Sequence, residues 1–171
     1  MELLKSKVRD IPDFPKPGIL FKDLTPVMAD GRLLRATAEA LAEPYRAGGI
    51  TVVAGMEARG FIFGSMVAYI LGVGFVPLRK PGKLPHQTHR AAYALEYGEA
   101  SLEIHIDAVT KDDQVLLVDD LLATGGTAAA SGTLIKRSGA RVVGYAFVIE
   151  LDFLAGRNLL APHPVHSLLH Y

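Results

Sequence analysis

Between residues 50 and 149 short, almost wholly apolar runs alternate with helical stretches, and that alternation leaves few folds open. Ile50–Ala54 reads as a strand, Gly60–Leu71 as a helix, and Phe75–Leu78 as a strand. Val115–Val118 is again a strand, Thr127–Ser138 a helix closed by Gly139, and Val142–Ile149 a strand. Strands without polar alternation must be covered on both faces, which predicts an α/β fold with a mostly parallel central sheet flanked by helices. Tyr93–Tyr97 and Ser101–Ile106 differ, because polar and apolar residues alternate around Gly98 as in a half-exposed hairpin. Ahead of the alternating region, Met1–Val8 has the pattern of a short amphipathic helix. The prolines of IPDFPKPGILFKDLTP then forbid regular helix and predict an extended arm. Asp30 is placed to cap a helix running to Ala47, with Gly48-Gly49 as its stop.

Bulk properties narrow the partners. A chain of 171 residues fits one domain, residues 1–171, with enough interior for a proper core. Lysine plus arginine equals aspartate plus glutamate at 18 each, so no surplus charge points to nucleic acid or a membrane surface. The absence of cysteine removes disulfides, thiolate catalysis and zinc-thiolate sites, and suits a reducing compartment. The first residues are too charged for a signal segment, and no apolar run approaches the ~18 residues of a membrane span. The expectation is a soluble, cytoplasmic protein.

Ligands of parallel sheets bind beyond the carboxyl ends of the strands, and every unusual loop here falls at such an end. The stretch VLLVDDLLATGGT carries two adjacent acids, Asp119 and Asp120, and then a turn, Ala123, Thr124, Gly125, Gly126 and Thr127, that opens a helix. Free N–H groups, the helix dipole and two hydroxyls make that turn an anion cradle, and the glycines let oxygens come close. No lysine follows the glycines, and their spacing is not that of a dinucleotide fingerprint. Carboxylates beside an anion site make sense if they accept from a vicinal diol or face a magnesium ion. A ribose 5-phosphate meets both demands. Without the hydroxyls and the order of these parts, the same residues would be an ordinary strand-to-helix junction.

Two further loops carry cations. VVAGMEARGFIFG holds Glu57 and Arg59 between Gly55 and Gly60, and a guanidinium fork there matches phosphate oxygens. PLRKPGKLP gathers Arg79, Lys80 and Lys83, a landing place for a diphosphate in a protein that already has a sugar-phosphate turn.

VLLVDDLLATGGT resembles the phosphoribosyl-pyrophosphate motif of the type I phosphoribosyltransferases. AGMEARGFIFG, PLRKPGKLP, YALEYGEASLEI, the arm DFPKPGILFKDLTPVM and the ending APHPVHSLL are similar to the adenine phosphoribosyltransferase branch, over nearly the whole chain. The resemblance implies transfer of 5-phosphoribosyl from phosphoribosyl pyrophosphate to N9 of adenine, giving AMP and pyrophosphate in purine salvage. It implies Mg²⁺ as cofactor, held mainly by substrate oxygens rather than by assigned protein ligands, and a homodimer in which Lys80 reaches the partner's site. Arg59, Arg79, Lys80 and Lys83 would stabilise charge growing on pyrophosphate. Glu96 would serve as acid-base or tautomer-holding group, with Tyr97 beside it in a flap. That flap and its hairpin would span about 83–106. Residues about 1–30 would form a hood over the base, with Phe21 and Leu151 on the two faces of the purine. Backbone groups at Leu20 and Lys22 would read its edge; Lys22 stands where relatives often carry arginine.

Proline residues around His163, His166 and His170 break the helix that a metal-ligand spacing would need. Two other readings stay open on sequence: transfer to another purine base, and a non-catalytic regulator sensing phosphoribosyl pyrophosphate. The second lacks any helix-turn-helix pattern.

Overall fold

In a computed structural model of the chain, residues 1–94 and 99–171 are described. Five strands, β3 (Val52–Met56), β4 (Gly74–Leu78), β7 (Gln114–Leu122), β8 (Arg141–Glu150) and β9 (Val165–His170), form one sheet in the order β4-β3-β7-β8-β9. Every neighbouring pair is parallel. The chain moves outward from β3 to β4, then re-enters at β7 and proceeds the other way. The switch therefore lies between β3 and β7, where open α/β sheets form their ligand crevice.

Helices cover both faces, as the unbroken apolar strands require. On one side α3 (Gly31–Ala42) and α4 (Gly60–Leu71) pack through Leu41, Phe63 and Val67 onto Val53, Leu116 and Val148. On the other, α5 (Gly126–Arg137) and the antiparallel hairpin of β5 (Thr88–Ala94) and β6 (Glu99–His105) cover Ala54, Leu117 and Phe147. Asp30 does cap α3, accepting from the N–H groups of Arg32 and Leu33 at 2.9 and 3.2 Å. The helix expected to reach Ala47 ends at Ala42, because Pro44 tightens the next turn into a 3-10 helix, Glu43–Tyr45.

Two further local expectations are corrected. The arm is not merely extended. After α1 (Glu2–Lys7), strands β1 (Arg9–Pro12) and β2 (Leu20–Asp23) pair antiparallel, and α2 (Thr25–Ala29) follows. The first hairpin strand begins at Thr88, not Tyr93, because its residues pair with β6 from His105 backward and bury Ala91 against the α5 side of the core. At the end of the sequence Val165–His170 form β9, paired parallel with β8. Within that hairpin Leu102 and Ile104 are wholly buried. No helix among the described residues is long and apolar enough to cross a membrane.

Candidate active site

Four loops meet at the carboxyl edge of the sheet, one from each of β3, β4, β7 and β8. The acids belong to β7 itself, since the ladder continues past them through Asp119↔Phe147 and Leu121↔Ile149. The strand then bends at Gly125, whose φ of 85° suits glycine, and Gly126 begins α5. No described side chain caps this helix. Its first N–H groups face a small cavity of about 80 Å³ walled by Met56, Asp119, Leu122, Phe147 and the turn from Ala123 to Ala128. All five expected turn residues, Ala123, Thr124, Gly125, Gly126 and Thr127, lie on that wall.

The two acids are not equivalent. Asp119 faces the cavity and accepts from the Asp120 N–H at 2.8 Å. Burial, reinforced by the neighbouring Asp120 carboxylate, pushes its pKa well above the ordinary carboxylate range. Asp120 is turned away from that cavity and is paired with the Arg59 guanidinium. Gly60, at the start of α4, is there for contact: a Cβ would lie 2.7 Å from Asp119 Oδ1 and 2.8 Å from the Val118 carbonyl. The absent side chain lets the β3 loop lie against the acids, and so brings Arg59 within reach of Asp120.

Arg79 and Lys80 are organised by a residue whose role the sequence did not disclose. Glu57 accepts from Arg79 Nε at 3.2 Å and from the Lys80 N–H at 2.9 Å. Burial opposes its ionisation, but these donors prevail and hold its pKa below the usual value. Arg79 also donates to the Lys83 carbonyl at 3.2 Å, and the Gly82 N–H to Glu103 at 3.1 Å. The side chains of Lys80 and Lys83 are exposed. A carboxylate two residues from Arg59 was visible in the motif, but its partners come from β4 and so were not.

In the arm, strand alternation separates the expected base-binding residues. Leu20 and Lys22 share a cavity of about 450 Å³ with Leu151, Phe153 and Tyr171. Phe21 lies between them in β2 and faces the other way, its ring 5.1 Å from Phe14 and 5.3 Å from the Arg59 guanidinium. Lys22 is buried. Its ammonium donates to Asp10 at 2.7 Å and lies 4.0 Å from the centre of the Tyr171 ring. Glu96 and Tyr97 lie outside the described residues.

One cluster of metal-ligand types occurs among the described residues: Glu150, Asp152 and His170 offer atoms within 4.8 Å of one another. Glu150 already accepts from Arg157 at 2.6 and 2.7 Å and from Ser167 at 2.7 Å, so a cation there would have to displace those donors. His166 instead lies 3.2 Å from the Ala40 carbonyl.

A family model described as the phosphoribosyl transferase domain matches residues 27–158. Over 171 residues the chain is 60% identical to the adenine phosphoribosyltransferase of Nitrosococcus oceani, with all of both proteins covered. The crystal structure of adenine phosphoribosyltransferase from Rhodothermus marinus superposes with a TM-score of 0.95 at 54% identity, covering 99% of this chain and 97% of that one. The Saccharomyces cerevisiae enzyme, solved with adenine and an imino-altritol bisphosphate, gives 0.93 at 42% identity, covering 98% and 97%.

Proposed function

The chain belongs to the adenine phosphoribosyltransferases of the phosphoribosyltransferase family, and from that premise we propose how its residues carry the transfer of 5-phosphoribosyl from phosphoribosyl pyrophosphate to N9 of adenine. The observation that carries the reading is the uncapped start of α5 opening onto a cavity that Asp119 also walls. The 5-phosphate takes the N–H groups and hydroxyls of Thr124 to Thr127, and the ribose hydroxyls go to Asp119 and Asp120. Such donors are in place before the substrate arrives, so little reorganisation opposes binding.

Displacement at the anomeric carbon builds positive charge on the ribose and negative charge on the departing pyrophosphate. Arg59, Arg79, Lys80 and Lys83 stabilise that departing charge, and one such contact is worth ~3 kcal/mol. Glu57 holds Arg79 and the Lys80 backbone in register while leaving the two lysine side chains free to reach the oxygens. Lys80 of one copy serves the neighbouring site in a homodimer.

The donor set suits Mg²⁺. Among the described carboxylates only Asp119 walls the turn cavity, too few ligands for a protein cage and appropriate to a small hard cation that keeps substrate and water oxygens. Asp119 would contribute at most one ligand beside the substrate's own oxygens, and the ion would supply neutralisation of the diphosphate charge. Burial and the neighbouring Asp120 raise the pKa of Asp119, and a cation arriving there would favour its ionised form.

The base lies under the arm formed by residues 1–30. Phe21 offers a stacking face on the Arg59 side of β2, Leu151 is the apolar surface expected on the purine's other face, and the backbone at Leu20 and Lys22 reads the edge. The Lys22 side chain is committed to Asp10 and Tyr171, which favours backbone reading. Hypoxanthine reverses both polarities at that edge and leaves paired groups unsatisfied, costing ~1–3 kcal/mol per group. Glu96 assists loss of the N9 proton, and Tyr97 belongs with it to a flap, Lys83 to Tyr97, that excludes water from the anomeric carbon. The protein works in the cytoplasm as a single-domain chain. Incubation with adenine, phosphoribosyl pyrophosphate and magnesium is expected to give AMP and pyrophosphate in equal amounts, and a chelator is expected to stop it. Product formation unaffected by chelation would remove Mg²⁺ from the reading.

A further inference from the structure

Glu150 ends an apolar strand and is 1% exposed. Its two carboxylate oxygens are fully engaged, with Arg157 donating to both and Ser167 to one. Glu150 is buried while the Arg157 side chain is about half exposed, and a pair that draws one carboxylate out of water adds little net stability, because desolvation offsets the contact. What a bidentate pair fixes is geometry.

The geometry concerns the six residues the pair encloses. Leu151, immediately after Glu150, donates its N–H to the Leu122 carbonyl at 2.9 Å, and Asp152 donates to Tyr171 at 2.9 Å. At the far end, Gly156 rests on the phosphate turn backbone to backbone. A Cβ on Gly156 would lie 2.1 Å from the Ala123 carbonyl, and one on Gly125 would lie 2.4 Å from the Gly156 carbonyl. The segment thus begins at a wall of the arm cavity and ends against the turn that opens α5.

We propose that Glu150 and Arg157 are positioning residues, a brace that fixes the distance between the base shelf at Leu151 and the phosphate turn at Ala123–Gly125. The proposal rests on the site assignment given above. It makes the two binding sites interdependent: loosening the brace displaces both at once, although neither Glu150 nor Arg157 touches either substrate. The segment lies outside the pyrophosphate loops, so Arg59 and Arg79 keep their partners when it moves.

The test uses the full-length protein with Mg²⁺ and compares Glu150→Gln and Arg157→Lys with Leu151→Ala. Apparent KM for adenine, KM for phosphoribosyl pyrophosphate, kcat and Tm are measured for each. The brace predicts that Glu150→Gln and Arg157→Lys raise both KM values together, by about tenfold, since misplacement well under an ångström suffices. Leu151→Ala is expected to raise the adenine KM alone. If the brace variants lower Tm but leave both KM values unchanged, the pair is only structural and the proposal is overturned. A rise in one KM alone also overturns it. If Leu151→Ala leaves the adenine KM unchanged, the shelf assignment fails, and the proposal with it. Should Glu150→Gln not fold, Arg157→Lys decides by the same outcomes, since it keeps the charge and loses only the fork.

Discussion

The Arg59 guanidinium is paired with Asp120 and lies 5.3 Å from the centre of the Phe21 ring. One cation thus joins an acid expected to hold the ribose to an aromatic expected to stack on the base. On the proposed reading, a diphosphate would compete with Asp120 for Arg59, and the exchange would free the carboxylate for a diol. Arg59→Ala is therefore expected to lower kcat by about a hundredfold, as loss of one transition-state contact does. Asp120→Asn is expected to raise the KM for phosphoribosyl pyrophosphate with the fold retained. Steady-state kinetics on both variants check this; full turnover in Arg59→Ala would remove it from the chemistry.

Asp119 predicts a conflict between stability and activity. Its pKa in the folded chain is raised, so the unfolded chain ionises more readily. The resulting cost to stability begins as pH rises through the unfolded carboxylate value and is complete above the folded one. Asp119→Asn should remove that cost at neutral pH and raise the Tm of the ligand-free protein, at about 2–4 °C per kcal/mol for a chain of this size. The same variant should lose turnover. A lower Tm at pH 7 would contradict the burial argument.

Phe21 and Lys22 separate stacking from edge reading. Phe21→Ala is expected to raise the adenine KM through a lost stacking face worth about 1 kcal/mol, with the adenine-to-hypoxanthine preference kept. Lys22→Ala breaks the contacts to Asp10 and Tyr171, so it should lower Tm and raise KM for both bases in proportion. Kinetics with both bases decide between this and side-chain reading, which predicts a changed preference in Lys22→Ala alone.

Acid should loosen the arm and the β8 end together. Asp23 is held below its usual pKa by the Thr25 hydroxyl and N–H, and Glu150 chiefly by Arg157, with Ser167 adding to it against the effect of burial. Depressed pKa values contribute stability above the unfolded carboxylate range and lose it as pH falls through the folded values. Tm is expected to fall as pH drops below about 4, less steeply in Glu150→Gln. Equal slopes would show that Glu150 contributes nothing to the acid loss.

Much of this was legible in order along the chain. The parallel sheet followed from Val115–Val118 and Val142–Ile149 because burial on both faces leaves no polar alternation. The turn that opens α5 followed from glycines and hydroxyls placed after a strand, a local pattern. Partners distant in sequence were not legible. Glu57 finds Arg79, Lys22 finds Tyr171, and Ser167 finds Glu150 only once the sheet is assembled. Strand ends failed for the same reason: β7 runs through Asp119 and Asp120 because β8 continues beside it, whatever the local charge. Pairing likewise turned the proline-rich arm into β1 and β2.

The central claim is that this site uses phosphoribosyl pyrophosphate and reads adenine by its edge. The most direct measurement is kcat/KM for adenine, hypoxanthine, guanine and xanthine under one set of phosphoribosyl pyrophosphate and magnesium concentrations. The account predicts AMP as the product, with adenine preferred by at least about a hundredfold, as two mismatched buried groups require. Comparable turnover of hypoxanthine or guanine would contradict it.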